Sequence, residues 1–454
     1  MGYQVSKTII KKKKYKELYT YFNNNCINSK NLYNAALYRL RQNFTAYNKT
    51  SLSDNEQEVL NEINKTIFKT GLSQPGLIMS YKFLEKLMRV TKNPDFFTNL
   101  PMQSAQLILK NACADMKGWI ESLKKYKKNP ANYTGKPQIP KYKKSDLSMV
   151  KFTNQDCIIY YEDNKTYLKF PKTKEIILLP HVNKNVTLKE VQVKPYYDNF
   201  LVITIFETNK INTNTNDLVY SCGIDFGVNN TVALVSNNNS CLLYKGGAIK
   251  SANQWYNKQR SKYISILDKE NQFRNTHRLS SLSKNRDCFI KDYFHKISSD
   301  IISYCLKNKI GTIIIGKNKG WKQKSNIGKT NNQNFVLIPF AILQLMIKYK
   351  AEQVGIIIIE QEESYTSKAS FLDNDYMPTL NNKEEHSFSG KRISRGLYKS
   401  SDGTIINSDL NGAANILRKA IPNAFDNIKD YSFIQNKIEA KRFYDLHTSK
   451  KQIA

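Results

Sequence analysis

The spacing of apolar and polar positions divides the chain into three regimes. The opening segment YQVSKTII alternates like a strand and runs into a lysine patch. From Lys14 to about Phe44 the period changes. Leu18, Tyr21, Phe22, Tyr33, Ala36, Leu37, Leu40 and Phe44 fall mostly three or four residues apart, which predicts helix. After the polar stretch NKTSLSDN, helical sequence resumes through Phe97. A long helix is predicted from Gln103 to Lys128, with Ala105, Leu107, Ile108, Ala112, Met116, Trp119, Ile120 and Leu123 on one face and a solvent-facing KKYKK end.

The second regime follows NPANYTGKPQIPKYKK, whose three prolines and one glycine break helices and mark a boundary. From Met149 to Glu207 the pattern is that of strands. CIIYY and TYLKFP read as a hairpin across EDNK, followed by EIILLP, VTLKEVQVKP and NFLVITIFE. A small β-barrel domain is the expectation, with inward alternation visible at Val191 and Val193.

The polar linker TNKINTNTND opens the third regime. VYSCGIDFGV, TVALVSN and SCLLYKGG predict three antiparallel strands. A basic helical stretch from Ile249 to Leu306, strand GTIIIG, a loop, a helix from Pro339 to Val354 and strand GIIIIEQ come next. Three hairpin strands followed by alternating helices and parallel strands is the order of an RNase H-like mixed sheet. The expected fold is therefore multidomain, α+β and α/β. Its divisions are a first strand of the β-domain (1–13), a helical region (14–130), a β-barrel (131–215), an α/β core (216–367), an insert (368–404) and the end of the core with a tail (405–454).

Charge changes the picture from fold to partner. The 454 residues include 70 Lys and Arg against 38 Asp and Glu, a net charge of +32, and so much positive charge calls for a polyanion. An AT-rich genome adds lysine, but it adds Asp and Glu as well, so the imbalance still points to nucleic acid. With 40% hydrophobic and 11% aromatic residues the chain is too apolar for intrinsic disorder. Its longest apolar runs are only strand-length, and MGYQVSKTIIKKKKYK has no secretory apolar core. The expected location is the cytoplasm, associated with the nucleoid where the nucleic acid is DNA. Seven cysteines without a C-x-x-C pair suggest reduced, mostly buried thiols.

Three acidic regions carry the candidate chemistry. Asp225 lies in CGIDFGVNN on a strand of central character, and Asp409 opens the helix of SDLNGAANILRK. In GIIIIEQEESYTSK, Glu360, Glu362 and Glu363 follow an apolar run expected to be a buried strand, with Glu360 and Glu362 on one face and Glu363 opposite. Each acid alone also suits a turn, an N-cap or a solvated strand end. Together they suit Mg2+ or Mn2+, which take oxygen ligands and in pairs clamp both oxygens of a phosphodiester displacement.

CGIDFGVNN, EESYTSKASFLD and SDLNGAANILRK, in that order, resemble the OrfB/TnpB family of insertion-sequence proteins. NLYNAALYRLRQ, GKPQIPKYK and RLSSLSKNRDCFIKDYFHKIS extend the resemblance over nearly the whole chain. The resemblance implies a RuvC-like, RNA-guided DNA endonuclease related to type V CRISPR effectors. Guide RNA and double-stranded target DNA would be its partners, and a separate transposase would serve the same element. It puts the first catalytic aspartate at Asp225 and the last at Asp409.

The family's middle glutamate falls at Gly316. Two accounts follow: a nuclease-inactive RNA-guided DNA binder, or a carboxylate moved one strand over. For the second, Glu362 is the expected replacement, with Glu363 and Glu360 as alternates. The family's zinc-ribbon cysteines are also missing from the insert, so no zinc is expected, and packing of Phe371, Leu372, Phe388, Ile393 and Leu397 is expected to hold it instead. Expected nucleic-acid contacts are Lys141, Tyr142, Lys143, Trp321, Lys322, Gln323, Lys391, Arg392 and Arg395.

Overall fold

A computed structural model describes residues 2–98, 100–180, 182, 186–208, 217–270, 276–317, 337–379, 386–394 and 396–446. The chain divides into two compact units, Met1–Asn209 and Lys210–Ala454.

In the first unit, strand β1 (Gly2–Ile10) precedes helices α1 (Lys16–Ala46), α2 (Asp54–Thr70), α3 (Tyr81–Val90) and α4 (Met102–Lys128). Helix α2 shows how local sequence sets a boundary. Ser53 and Glu56 form a capping box at its start, and Gly71 closes it at φ 67°. Strands β2 (Val150–Thr153), β3 (Ile158–Glu162), β4 (Lys165–Lys169), β5 (Ile176–Leu179), β6 (Thr187–Tyr196) and β7 (Asn199–Thr208) follow. They form two separate sheets, β1-β7-β6-β2 and β3-β4-β5.

Both sheets are open, which corrects the expected barrel. Among the described residues β2 spans only four residues and pairs with β6 alone, and β1 pairs in the sheet with β7 alone, so both are edge strands. Closure is replaced by aromatic packing. Phe22 of α1 meets Phe170 edge-on at 4.8 Å, and Phe170 meets Phe152 at 5.2 Å.

The second unit is built on β8 (Tyr220–Asp225), β9 (Asn230–Ser236), β10 (Ser240–Lys245), β11 (Ile310–Gly316), β12 (Ile357–Gln361) and a late strand, β16 (Ile438–Lys441). Their order is β12-β11-β8-β9-β10-β16. β9 is antiparallel to both of its neighbours, β8 and β10; β8, β11 and β12 run parallel, and β16 is parallel to β10. The single basic helical stretch expected after β10 is two helices, α5 (Gly247–Lys269) and α6 (His277–Lys307).

Period-two alternation buries both faces of this sheet. Cys222, Ile224, Leu234, Tyr244 and Ile313 pack with α6 and with α7 (Phe340–Gln353). Ala233, Val235, Leu243 and Ile314 pack with α8 (Ser408–Ala420). On that second side Gly223 lets α8 come close, since a β-carbon there would overlap the Ala413 carbonyl.

β12 corrects a second expectation. It is an edge strand, so its apolar run is only half covered: Ile356 is buried, while Ile357 is 60% and Ile359 39% exposed.

The insert carries β13 (Lys391–Ser394) and β14 (Leu397–Lys399), which form an antiparallel sheet with β15 (Ile405–Asn407). Ile393 and Leu397, expected inside, are exposed, because the pleat turns Tyr398 inward. Tyr398 donates its hydroxyl to the Lys368 carbonyl at 2.8 Å, and Phe371 joins the α8-side core. Polar ties hold the rest: Asp375 accepts from the Ser370 and Ser389 amides at 2.7 and 3.1 Å, and Asp373 from the Ser401 amide at 3.0 Å. Among the described residues, no helix is long and apolar enough to cross a membrane.

Candidate active site: carboxylates on the α8 side of the sheet

Asp225 ends β8, between β9 and β11, on the face covered by α8. Its carboxylate lies against α8 where the helix has no side chain, since a β-carbon at Gly412 would sit 2.9 Å from Asp225 Oδ2. Burial pushes its carboxyl well above the usual range. The nearby charges of Glu363 and Asp409 add to this, and the Phe226 amide and Arg392 oppose it.

Asp409 is delivered by the start of α8. The Asn407 side chain caps the helix, accepting from the amides of Asp409 and Leu410 at 2.9 and 3.2 Å. Asn230 at the start of β9 donates its Nδ2 to Asp409 Oδ2 at 2.7 Å and fixes that carboxylate. Arg392 of β13 donates to Ser408 Oγ at 2.7 Å and stands 3.6 Å from Asp409 Oδ1.

The three glutamates separate clearly. Glu360 pairs with Lys317 at the sheet edge, which holds its carboxyl low. Glu362, expected to complete the site, is bound by Lys419 at 2.7 Å and accepts from the Ser364 amide at 2.8 Å; these partners hold its carboxyl low against the effect of burial. Glu363 turns inward instead. Its carboxylate lies over Gly316, and a β-carbon there would overlap Glu363 Oε2 and lie 2.7 Å from Ile416 Cδ1. Burial and the Glu362 charge push the Glu363 carboxyl up to about 7, against the pull of Lys419. Of the three, Glu363 is the one whose charge acts on Asp225, because β12 stops at Gln361 and the alternation of faces does not extend to 362 and 363.

The site thus gathers acids that repel one another in a desolvated place. Among the described residues, no three His, Cys, Asp or Glu side chains stand close enough to chelate an ion as they are. The donor set nonetheless fits a hard divalent cation, because it offers only carboxylate oxygen and carries charge that a cation would relieve.

The residues expected to contact nucleic acid differ in exposure and packing. Lys141 is exposed, and Tyr142, 38% exposed, lies under the Arg41 guanidinium at 4.9 Å. Lys143 turns inward: its ammonium sits 3.9 Å over the Tyr33 ring and donates to Ser148 Oγ at 2.8 Å. Lys391 is exposed on β13, while Arg392 is engaged at the acidic site. Trp321, Lys322, Gln323 and Arg395 lie outside the described residues.

Two family models match the second unit and its approach: OrfB_IS605, described as a probable transposase, over residues 204–322, and a Cas12f1-like TNB domain over residues 340–416. A TnpB-like protein, ORF457 of Acidianus two-tailed virus, is 26% identical over 215 residues, which is 45% of this chain and 43% of that protein. Over these parts of its length the chain is similar to OrfB/TnpB proteins. The match spans less than half the length of that viral relative. A Cas12f1 structure, solved as a complex with sgRNA and target DNA, shares the fold at a TM-score of 0.53 and 17% identity, covering 88% of this chain and 82% of that one.

The reading of the residues missed Asn230, Gly412 and Lys419. Asn230 ends the quoted motif CGIDFGVNN, so its closeness to Asp225 was visible, but its pairing with Asp409 depends on the fold.

Proposed function

We propose that this OrfB/TnpB-like protein is an RNA-guided endodeoxyribonuclease that hydrolyses DNA at Asp225, Glu363 and Asp409. The observation that carries the reading is the Glu363 carboxylate, which lies where a side chain at position 316 would project and whose charge helps to raise the Asp225 carboxyl. The strand order β12-β11-β8-β9-β10 supports an RNase H-like, RuvC-type core.

The three acids would hold Mg2+ or Mn2+, which would neutralise charge on the attacked phosphate and activate water. Asn230 orients Asp409, and the Asn407 cap fixes the helix that carries it. Burial of Asp225 and Glu363 removes the water that would otherwise screen their charge. Arg392, already beside Asp409, offers a cation to a DNA phosphate.

The guide RNA and duplex DNA are the partners that the charge of +32 suits, with base pairing to the guide supplying sequence specificity. The helical region 14–130 and the sheets of 131–215 are proposed to grip the guide. A transposase of the same element would be a separate protein.

The test begins with RNA purified on the full chain and sequenced. A plasmid carrying the matching target is then cut in Mg2+ or Mn2+ by wild type, Asp225→Ala, Glu363→Gln and Glu362→Gln. Loss of cutting in the first two variants is expected, with cutting retained by Glu362→Gln at saturating metal. Guide-dependent DNA binding without any cleavage by wild type would leave only an inactive binder.

A further inference from the structure

Helix α8 carries more than Asp409. Asn411, Asn415 and Lys419 stand at intervals of four and form one stripe along it. All three bond to the backbone that follows Glu363. Asn411 Nδ2 donates to the Ala369 carbonyl at 2.8 Å, and its Oδ1 accepts from the Phe371 amide at 2.9 Å. Asn415 Nδ2 donates to the carbonyls of Thr366 at 2.9 Å and Ala369 at 2.8 Å. Lys419 Nζ donates to the Ser364 carbonyl at 2.8 Å, the Pro378 carbonyl at 3.1 Å and Glu362 Oε2 at 2.7 Å.

Lys419 is the member nearest Glu363. Its side chain is 8% exposed, and the three donors of its ammonium each meet one acceptor. Two of those acceptors, on Glu362 and Ser364, belong to the residues on either side of Glu363. The Glu362 carboxylate also accepts from the Ser364 amide, so the turn is tied on both sides. Just beyond it, Tyr365 holds the left-handed region at φ 66°, a conformation a tyrosine keeps only where its surroundings impose it. Held in this way, the chain leaves β12 and returns the Glu363 side chain over Gly316.

We propose that Lys419, acting through Glu362 and the Ser364 carbonyl, is a positioning residue that sets the Glu363 carboxylate against Asp225. The helix that supplies Asp409 at one end thereby aligns, at the other, the acid in the turn that follows β12. The inference rests on Glu363 being the third acid of the site.

The test is Mn2+ binding to the full chain by calorimetry and electron paramagnetic resonance, beside cleavage measured as a function of Mn2+. Removing a group that orients a ligand typically weakens metal about 10–100-fold. Lys419→Met is expected to weaken Mn2+ by that amount and to raise the Mn2+ needed for half-maximal cleavage in step. Glu362→Gln should weaken it less, with its saturated rate kept, and Lys419→Arg should restore most of the affinity. Wild-type affinity in Lys419→Met overturns the positioning role and leaves the site standing. If Lys419→Met does not fold, Glu362→Gln decides, and unchanged Mn2+ affinity there overturns the proposal. Wild type that binds no more Mn2+ than Asp225→Ala overturns the acidic site itself, a failure seen before any Lys419 variant is compared.

Discussion

The carboxylate of Glu363 fills the volume above Gly316 that a side chain at position 316 would need. Gly316 ends β11 opposite Gln361 of β12, on the face that also carries Asp225. The lack of a side chain at 316 and the inward turn of Glu363 are therefore two aspects of one arrangement. A side chain at 316 and the carboxylate at 363 exclude each other.

Gly316→Ala tests that exclusion directly. The added methyl meets the far end of a flexible side chain and Ile416, so the fold should adjust at a cost of about 1 kcal/mol. Cleavage should fall about 10–100-fold, because a ligand has been pushed aside. Plasmid cutting and a thermal melt on the same preparation check both halves, and full activity would show that the Glu363 carboxylate does not need that space.

The reciprocal change should succeed where the single ones fail. Glu363→Ala is expected to abolish cutting, and Gly316→Glu alone should place two carboxylates in one volume and lose most of it. The double variant Gly316→Glu/Glu363→Ala returns one carboxylate to the space beside Asp225. Cutting at about 10% of wild type or more is expected, measured on the same plasmid in Mn2+.

How much of this site was legible follows from what each residue depends on. Asp225 and Asp409 were readable because motif and local structure coincide: one ends a strand, the other opens a helix capped by Asn407. Glu363 could be named only as an alternate to Glu362, because period-two reasoning holds only while the chain is a strand, and β12 ends at Gln361. The barrel failed for a related reason. Alternation identifies the strands but not whether β1 and β2 meet, and they remain edges of an open sheet. In the insert Leu397 was expected inside from its hydrophobicity alone, and the pleat of β14 exposes it and buries Tyr398.

Neighbouring lysines in the first unit should behave in opposite ways. Lys143 is held by the Tyr33 ring and Ser148 Oγ, and the Asn34 side chain binds its backbone amide at 2.8 Å. Lys143→Ala should lower the melting temperature, with a cost of about 1–2 kcal/mol, and leave the salt dependence of RNA binding unchanged. Lys141 is exposed, so Lys141→Ala should leave stability alone and reduce the slope of log K against log salt by about one contact. Filter binding across a salt series and a melt of each variant decide it.

The acids themselves should cost stability when no metal is added. A carboxyl whose folded-state value is raised binds its proton more tightly in the folded chain than in the unfolded one, so its contribution is favourable at low pH and is lost as pH rises. For Glu363, raised to about 7, the loss runs from the ordinary glutamate range up through neutrality, and Asp225 moves in the same direction. Glu362 is shifted the opposite way, so the site is best isolated by comparing variants at each pH. Glu363→Gln should melt close to wild type at pH 5 and above it at pH 8. The gap should be on the order of 2 kcal/mol, or roughly 4–8 °C for a unit of this size. Saturating Mn2+ should raise the wild-type melt more than that of Glu363→Gln and close the gap, because a cation that binds only the folded protein stabilises it by mass action. A gap that does not change with pH would mean that the Glu363 carboxylate is solvated in the folded protein and does not share a buried place with Asp225.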